Sequence, residues 1–138
     1  MNTKEALALL IGELNEFRLH KRFIKELSAL LKKELKGKEE RFFKILITQL
    51  KNIKDFGVMV HTVDDNEIIH GGDGHFYSIH FQQSQFNVRF LIYIFDDGTA
   101  YFLSAFYERS GKKATDYTRH IPSLEQRLKD LKEENQDG

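Results

Sequence analysis

The chain contains no cysteine. Disulfides, thiolate metal sites and cysteine nucleophiles are excluded together, and the redox compartment is left open. Long apolar runs are also missing. The longest early one, Ala6 to Ile11, falls far short of the roughly 20 residues that a membrane-spanning helix needs, so no membrane association is expected. The same run makes a poor signal peptide, with Glu5 before it, Glu13 after it and no small-residue cleavage motif. The expected location is the cytoplasm. There is no internal repeat and no low-complexity linker. Net charge is absent too, since 21 Lys and Arg balance 21 Asp and Glu. What remains is 138 residues, 41% hydrophobic and 30% charged. That is the size and composition of one domain with a real core, here taken as residues 1–138.

The zero net charge conceals an uneven distribution. Residues 1–16 sum to −2, residues 17–51 to +7, residues 52–100 to −5 and residues 101–138 to 0. A segment of +7 suits an anionic partner, although solvated helix faces give the same count.

Hydrophobic spacing divides the chain into two halves. Residues 3–14 suit a short helix with Thr3 as a possible N-cap. Leu14 to Leu19 alternates and also suits an edge strand. From Arg22 to Lys36, Phe23, Leu27, Leu30 and Leu31 recur at helical spacing, with lysines opposite. Gly37 is placed to end that helix. Glu39 to Ile53 puts Phe42, Phe43, Leu46, Ile47 and Leu50 on one stripe, so the two helices read as a hairpin. The period then falls to two. Strands are predicted at 76–82, 86–95 and 99–107, with Asp97-Gly98 as the turn between the last two. Residues 63–74 are acidic and glycine-rich and read as a loop. Pro122 and Ser123 open a last helix with Leu124, Leu128 and Leu131 on one side, and residues 132–138 read as a frayed tail. The expected fold is therefore α+β: N-terminal basic helices packed on an antiparallel sheet of three to four strands, with a C-terminal helix. Val88, Phe90, Ile92 and Ile94 should face the helices, leaving Asn87, Arg89, Leu91, Tyr93 and Phe95 on an open face.

Three stretches then stand out: FYSIHF (76–81), NVRFLIYIFDDGTAYFLSAF (87–106) and KKATD (112–116). In this order, behind a basic helical hairpin and before a terminal helix, they resemble the RelE/HigB-like toxins of bacterial type II toxin–antitoxin systems, in the RelE/ParE superfamily. The resemblance covers most of residues 17–131, with 1–16 as an N-terminal extension. It implies an endoribonuclease that cuts mRNA on the ribosome with no cofactor and no metal. The 2′-hydroxyl attacks its neighbouring phosphate, and a cognate antitoxin protein holds the enzyme inactive.

Carried over by motif, Arg89 stands at the arginine of the family's "RhhY" strand, and Tyr93 lies four residues on, about 13 Å away at roughly 3.3 Å per residue. Arg89 is then the candidate phosphate clamp. His80 stands where the family has arginine, and an imidazole adds proton transfer near neutral pH. Arg109, Lys112 and Lys113 follow the third strand as candidate phosphate contacts, with Glu108 where a lysine is usual. Tyr117 is a candidate for stacking on a base. The departures at His80 and Glu108 keep two alternatives open: a non-catalytic protein-binding module of the same fold, and a ParE-like gyrase inhibitor. His75 and His80 are five apart, which puts them on opposite strand faces and argues against a histidine metal site.

Overall fold

A computed structural model describes residues 2–109 and 117–137. The first helix, α1 (Thr3–Glu13), is capped by Asn2, whose side-chain oxygen accepts the Glu5 N–H at 2.8 Å. The cap thus falls one residue before Thr3. Ala6, Leu10 and Leu14 are buried in the main core, so residues 2–16 are part of the folded body. A two-residue strand, β1 (Arg18–Leu19), leads into α2 (Lys21–Lys32), which His20 caps by accepting the Arg22 N–H on Nδ1 at 3.0 Å. This helix ends four residues earlier than its lysine pattern suggests, while Gly37, at φ +83°, still turns the chain into α3 (Glu39–Phe56).

After a 3₁₀ turn (Gly57–Thr62) come β2 (Glu67–Ile68), β3 (Phe76–Gln83), β4 (Phe86–Ile94) and β5 (Ala100–Tyr107). A second 3₁₀ turn (Tyr117–His120) opens α4 (Ile121–Asp137). The three long strands form the expected antiparallel meander, closed by the Asp97-Gly98 turn with Gly98 at φ +90°. The sheet is larger than expected, however, with five strands in the order β1-β5-β4-β3-β2. It is also mixed: β1 runs parallel to β5, with Arg18 opposite Tyr101. Each added strand is two residues long, too short to leave a period-two signal, and β2 lies inside the acidic stretch read as a loop.

One sheet face carries Ile79, Phe81, Val88, Phe90, Ile92, Ile94 and Phe102 against Phe23, Leu27, Leu31, Phe42, Leu46 and Leu50 of the helices, as the alternation requires. Rings interlock here, with Phe23 edge-on to Phe90 at 4.9 Å. Such pairs add about 0.5–1.5 kcal/mol beyond area burial.

The other face is not open. Leu124, Leu128 and Leu131 of α4 need an apolar surface, and they find it on Phe76, Leu91, Tyr93, Tyr101 and Leu103. Polar contacts fasten α4 at its rim: ion pairs from Arg18 to Glu134 at 3.3 Å and from Arg127 to Glu26 at 3.0 Å, and a hydrogen bond between His20 and Asp130 at 3.0 Å. Glu26 also accepts the Ser104 hydroxyl and the Ala105 N–H, beside the register shift between β4 and β5. The 70–74 loop packs on the second 3₁₀ turn, where Thr118 donates to His70 O at 2.8 Å. Gly71, at φ +96°, has the Thr118 methyl 2.7 Å from where a Cβ would stand. No helix among the described residues is long and apolar enough to cross a membrane.

Candidate functional site

The α4-facing side of β4 presents Asn87, Arg89, Leu91 and Tyr93 in alternation, and Arg89 falls at the polar end of this stripe. Its residue is 6% exposed. The guanidinium Nε donates to the Tyr117 hydroxyl at 3.0 Å, one terminal nitrogen donates to Asn87 Oδ1 and to Val88 O, and the other reaches Gln82 Oε1 at 3.5 Å. All four acceptors are neutral. Among the described residues no carboxylate lies in ion-pair range of Arg89. Burying a charge without a counter-charge costs several kcal/mol, and a bound anion would offset that cost.

His80 is directly opposite Arg89 across the β3–β4 ladder, so both side chains share one face. Its side chain is 11% exposed and its Nε2 is buried without a hydrogen-bond partner. Burial, then the Arg89 charge, lowers its pKa to about 4, with Asp65 pulling the other way. At neutral pH the imidazole is therefore uncharged, and the Glu67 carboxylate 3.5 Å from Nε2 is not an ion-pair partner. The backbone of His80 is held by a buried amide pair. Gln49 and Asn66 bond each other reciprocally at 3.1 Å, Asn66 Oδ1 accepts the His80 N–H at 3.0 Å, and Gln49 Nε2 donates to His80 O at 2.8 Å. Two side chains thereby continue the β3 edge where β2 stops. Beside them is a cleft of about 580 Å³ lined by Lys44, Gln49, Asp64, Asp65, His80 and Gln82.

The structure gathers Arg89, His80 and Tyr117 into one site and puts Tyr93 and Arg109 elsewhere. Tyr93 shares the Arg89 face but sits at the far end of β4, donating to Asp73 at 2.8 Å under the Lys132 ammonium. Burial, then Asp73 and Asp96, raises its phenol to about 12. Arg109, with a side chain 71% exposed, pairs with Glu34, just past the end of α2, at 3.0 Å and lies over the Tyr107 ring, on the opposite side of the sheet from Arg89. Lys112 and Lys113 lie outside the described residues. Tyr117 is buried, so its ring is no open stacking platform; its hydroxyl orients Arg89 instead. Gln82 and Asn87 join the site without having been singled out, although the period-two pattern puts them on the faces of His80 and Arg89. His120 lies on the same 3₁₀ turn as Tyr117 and stacks on Phe106 at 5.4 Å; that turn left no sequence signal.

Chemically, the arrangement offers one fixed cation, a hydroxyl, two side-chain amides and the uncharged imidazole of His80. Among the described residues no group of three or more His, Asp or Glu could hold a metal ion. Comparison with family models, characterised proteins and solved structures finds no match to this chain.

Proposed function

We propose that the protein is an endoribonuclease of the RelE/HigB-like toxin class, cutting mRNA on the ribosome without a metal and silenced by a cognate antitoxin. The observation that carries this reading is Arg89, a buried guanidinium without a carboxylate partner among the described residues, oriented by Tyr117 and beside a neutral imidazole. A phosphodiester supplies the missing negative charge, and the planar fork matches two phosphate oxygens. Cleavage by the 2′-hydroxyl needs charge stabilisation at the phosphorane and a base for the hydroxyl proton; Arg89 and His80 are suited to those tasks. The exposed Lys32, Lys33, Lys36, Lys44 and Lys51 of the +7 segment give RNA or an acidic antitoxin a surface to approach, so binding should weaken steeply as salt rises.

The test is induced expression with growth followed and mRNA mapped by primer extension. Wild type arrests growth and leaves new 5′ ends. Arg89→Ala loses about 10²–10³ in cleavage, the usual cost of removing such a charge-stabilising group, and Arg89→Lys retains more. A folded wild type that is harmless refutes the reading. A second reading, a non-catalytic binding module, is favoured by the burial of Arg89 beneath the 117–120 turn, which restricts access to the guanidinium. Arrest that survives both Arg89→Ala and His80→Ala would favour the gyrase-type alternative.

A further inference from the structure

The cleft of about 580 Å³ at the β3 edge shares two residues with the Arg89 site. Gln82 lines the cleft, and its Oε1 is 3.5 Å from a terminal nitrogen of Arg89. His80 lines it too, and is opposite Arg89 across the β3–β4 ladder. The volume suits one small ligand, since such pockets run from about 300 to 1,000 Å³. The outer walls come from α3, with Lys44 and Ile45, and from the turn before β2, with Asp64 and Asp65. Gln49 is closed to a ligand, because both ends of its amide are taken by Asn52, Asn66 and His80. Asp64 accepts from Asn52 at 3.4 Å. Asp65 and Lys44 are different. Both are exposed, and neither enters an ion pair among the described residues. At the inner wall, His80 Nε2 is buried with no hydrogen-bond partner among the described residues. A buried nitrogen of that kind calls for a partner from outside.

Charge decides which part of an RNA can enter. The carboxylates of Asp64 and Asp65 repel a phosphate, so the anion belongs at Arg89 and a neutral group in the cleft. A nucleobase is neutral, and its edge is rich in hydrogen-bonding groups. Among the four RNA bases only guanine carries two adjacent N–H donors, N1–H and N2–H, which match the two oxygens of one carboxylate. Its O6 lies next to them and accepts from a cation. We propose that the cleft is a guanine site, in which Asp65 accepts from N1–H and N2–H while Lys44 donates to O6. Base, ribose and phosphate of one nucleotide then fall in order across the sheet. The base is in the cleft, the ribose at His80 on β3, and the 3′-phosphate at Arg89 on β4, one strand spacing of about 4.8 Å further in. The ribose is the polar group that meets the His80 nitrogen. The consequence, which rests on the ribonuclease reading above, is a preference for cutting after guanosine.

The test titrates guanosine 3′-monophosphate and adenosine 3′-monophosphate into the full chain by calorimetry. Wild type should bind the guanosine nucleotide about tenfold or more tighter, the discrimination that one good paired contact to a base edge gives. Asp65→Asn should abolish the preference, because an amide offers one acceptor where guanine needs two. Asp65 is exposed and enters no ion pair among the described residues, so this variant should fold. Arg89→Ala should weaken both nucleotides and keep the preference. Equal binding of the two nucleotides by wild type, or a preference that survives Asp65→Asn, overturns the proposal. Cleavage sites mapped on programmed ribosomes separate it from the reading beneath it. Wild type should cut after guanosine, and Asp65→Asn should spread its cuts over the other bases. If wild type cuts without regard to base, the guanine site is overturned and the ribonuclease reading stands. If wild type cuts nothing yet binds guanosine 3′-monophosphate through Asp65, the ribonuclease reading fails and the cleft is upheld as a guanine site.

Discussion

Replacing Gln49 with Leu tests how the β3 edge, and with it His80, is held. The substitution removes the donor to His80 O at 2.8 Å and the acceptor for the Asn66 side-chain N–H at 3.1 Å. Each buried polar group left without a partner costs about 1–3 kcal/mol. The adjoining cleft lets water reach the edge, which places the expected loss at about 2–3 kcal/mol, the lower part of the combined range. Asn66→Leu strips the His80 N–H and both Gln49 contacts and should cost a similar amount. In the double variant neither amide survives to be orphaned, so the combined loss should fall short of the sum by about 1–2 kcal/mol. Urea unfolding reads this directly: with a slope of about 1–3 kcal/mol per molar, each single variant should lower the midpoint by about 1–2 M. Amide exchange at His80 should accelerate in Asn66→Leu. Single losses below about 0.5 kcal/mol, or a double variant that is simply additive, would refute the claim that the amide pair acts as a strand.

Other outcomes follow from neighbouring contacts. Tyr117→Phe removes a neutral acceptor from a buried charge and should lower stability by about 1.5–3 kcal/mol in thermal unfolding. His80 titrates near 6.5 when unfolded and about 4 when folded. Its contribution is intact above pH 6.5 and lost as pH falls towards 4, and His80→Gln should flatten stability-versus-pH curves in that window. A rise in stability across it on acidification would contradict the placement of this imidazole. Gly71→Ala meets both a positive φ and the Thr118 methyl, so a loss of about 1–3 kcal/mol is expected, measurable by denaturant unfolding.

The helical stripes, the meander and the inward set Val88, Phe90, Ile92 and Ile94 were legible because their periods run for many residues. β1 and β2 were not, since two residues carry no period and their partners are distant in sequence. The site was legible in part for the same reason. Arg89 and His80 could be placed on strand faces, but the alternation of β4 says nothing about what lies above its second face. That face was read as open, and its cover by α4 changes Tyr117 from a stacking platform into a partner of Arg89. The motif-derived places of Tyr93 and Arg109 parted from the site because sheet length and face separate them from Arg89.

The parallel pairing of β1 with β5 has a consequence for how the chain is made. Arg18 and Tyr101 meet across about 80 residues, so the edge of the sheet stays incomplete until β5 has left the ribosome. Through most of synthesis the apolar stripes of α1, α2 and α3 have no sheet to rest on, and Phe23, Leu27, Phe42 and Leu46 are available to other chains. Long-range pairing of this kind slows folding, and exposed helices invite association meanwhile. Ribosome-bound chains that stop before residue 100 should accordingly bind hydrophobic-surface chaperones, and release should coincide with the emergence of β5.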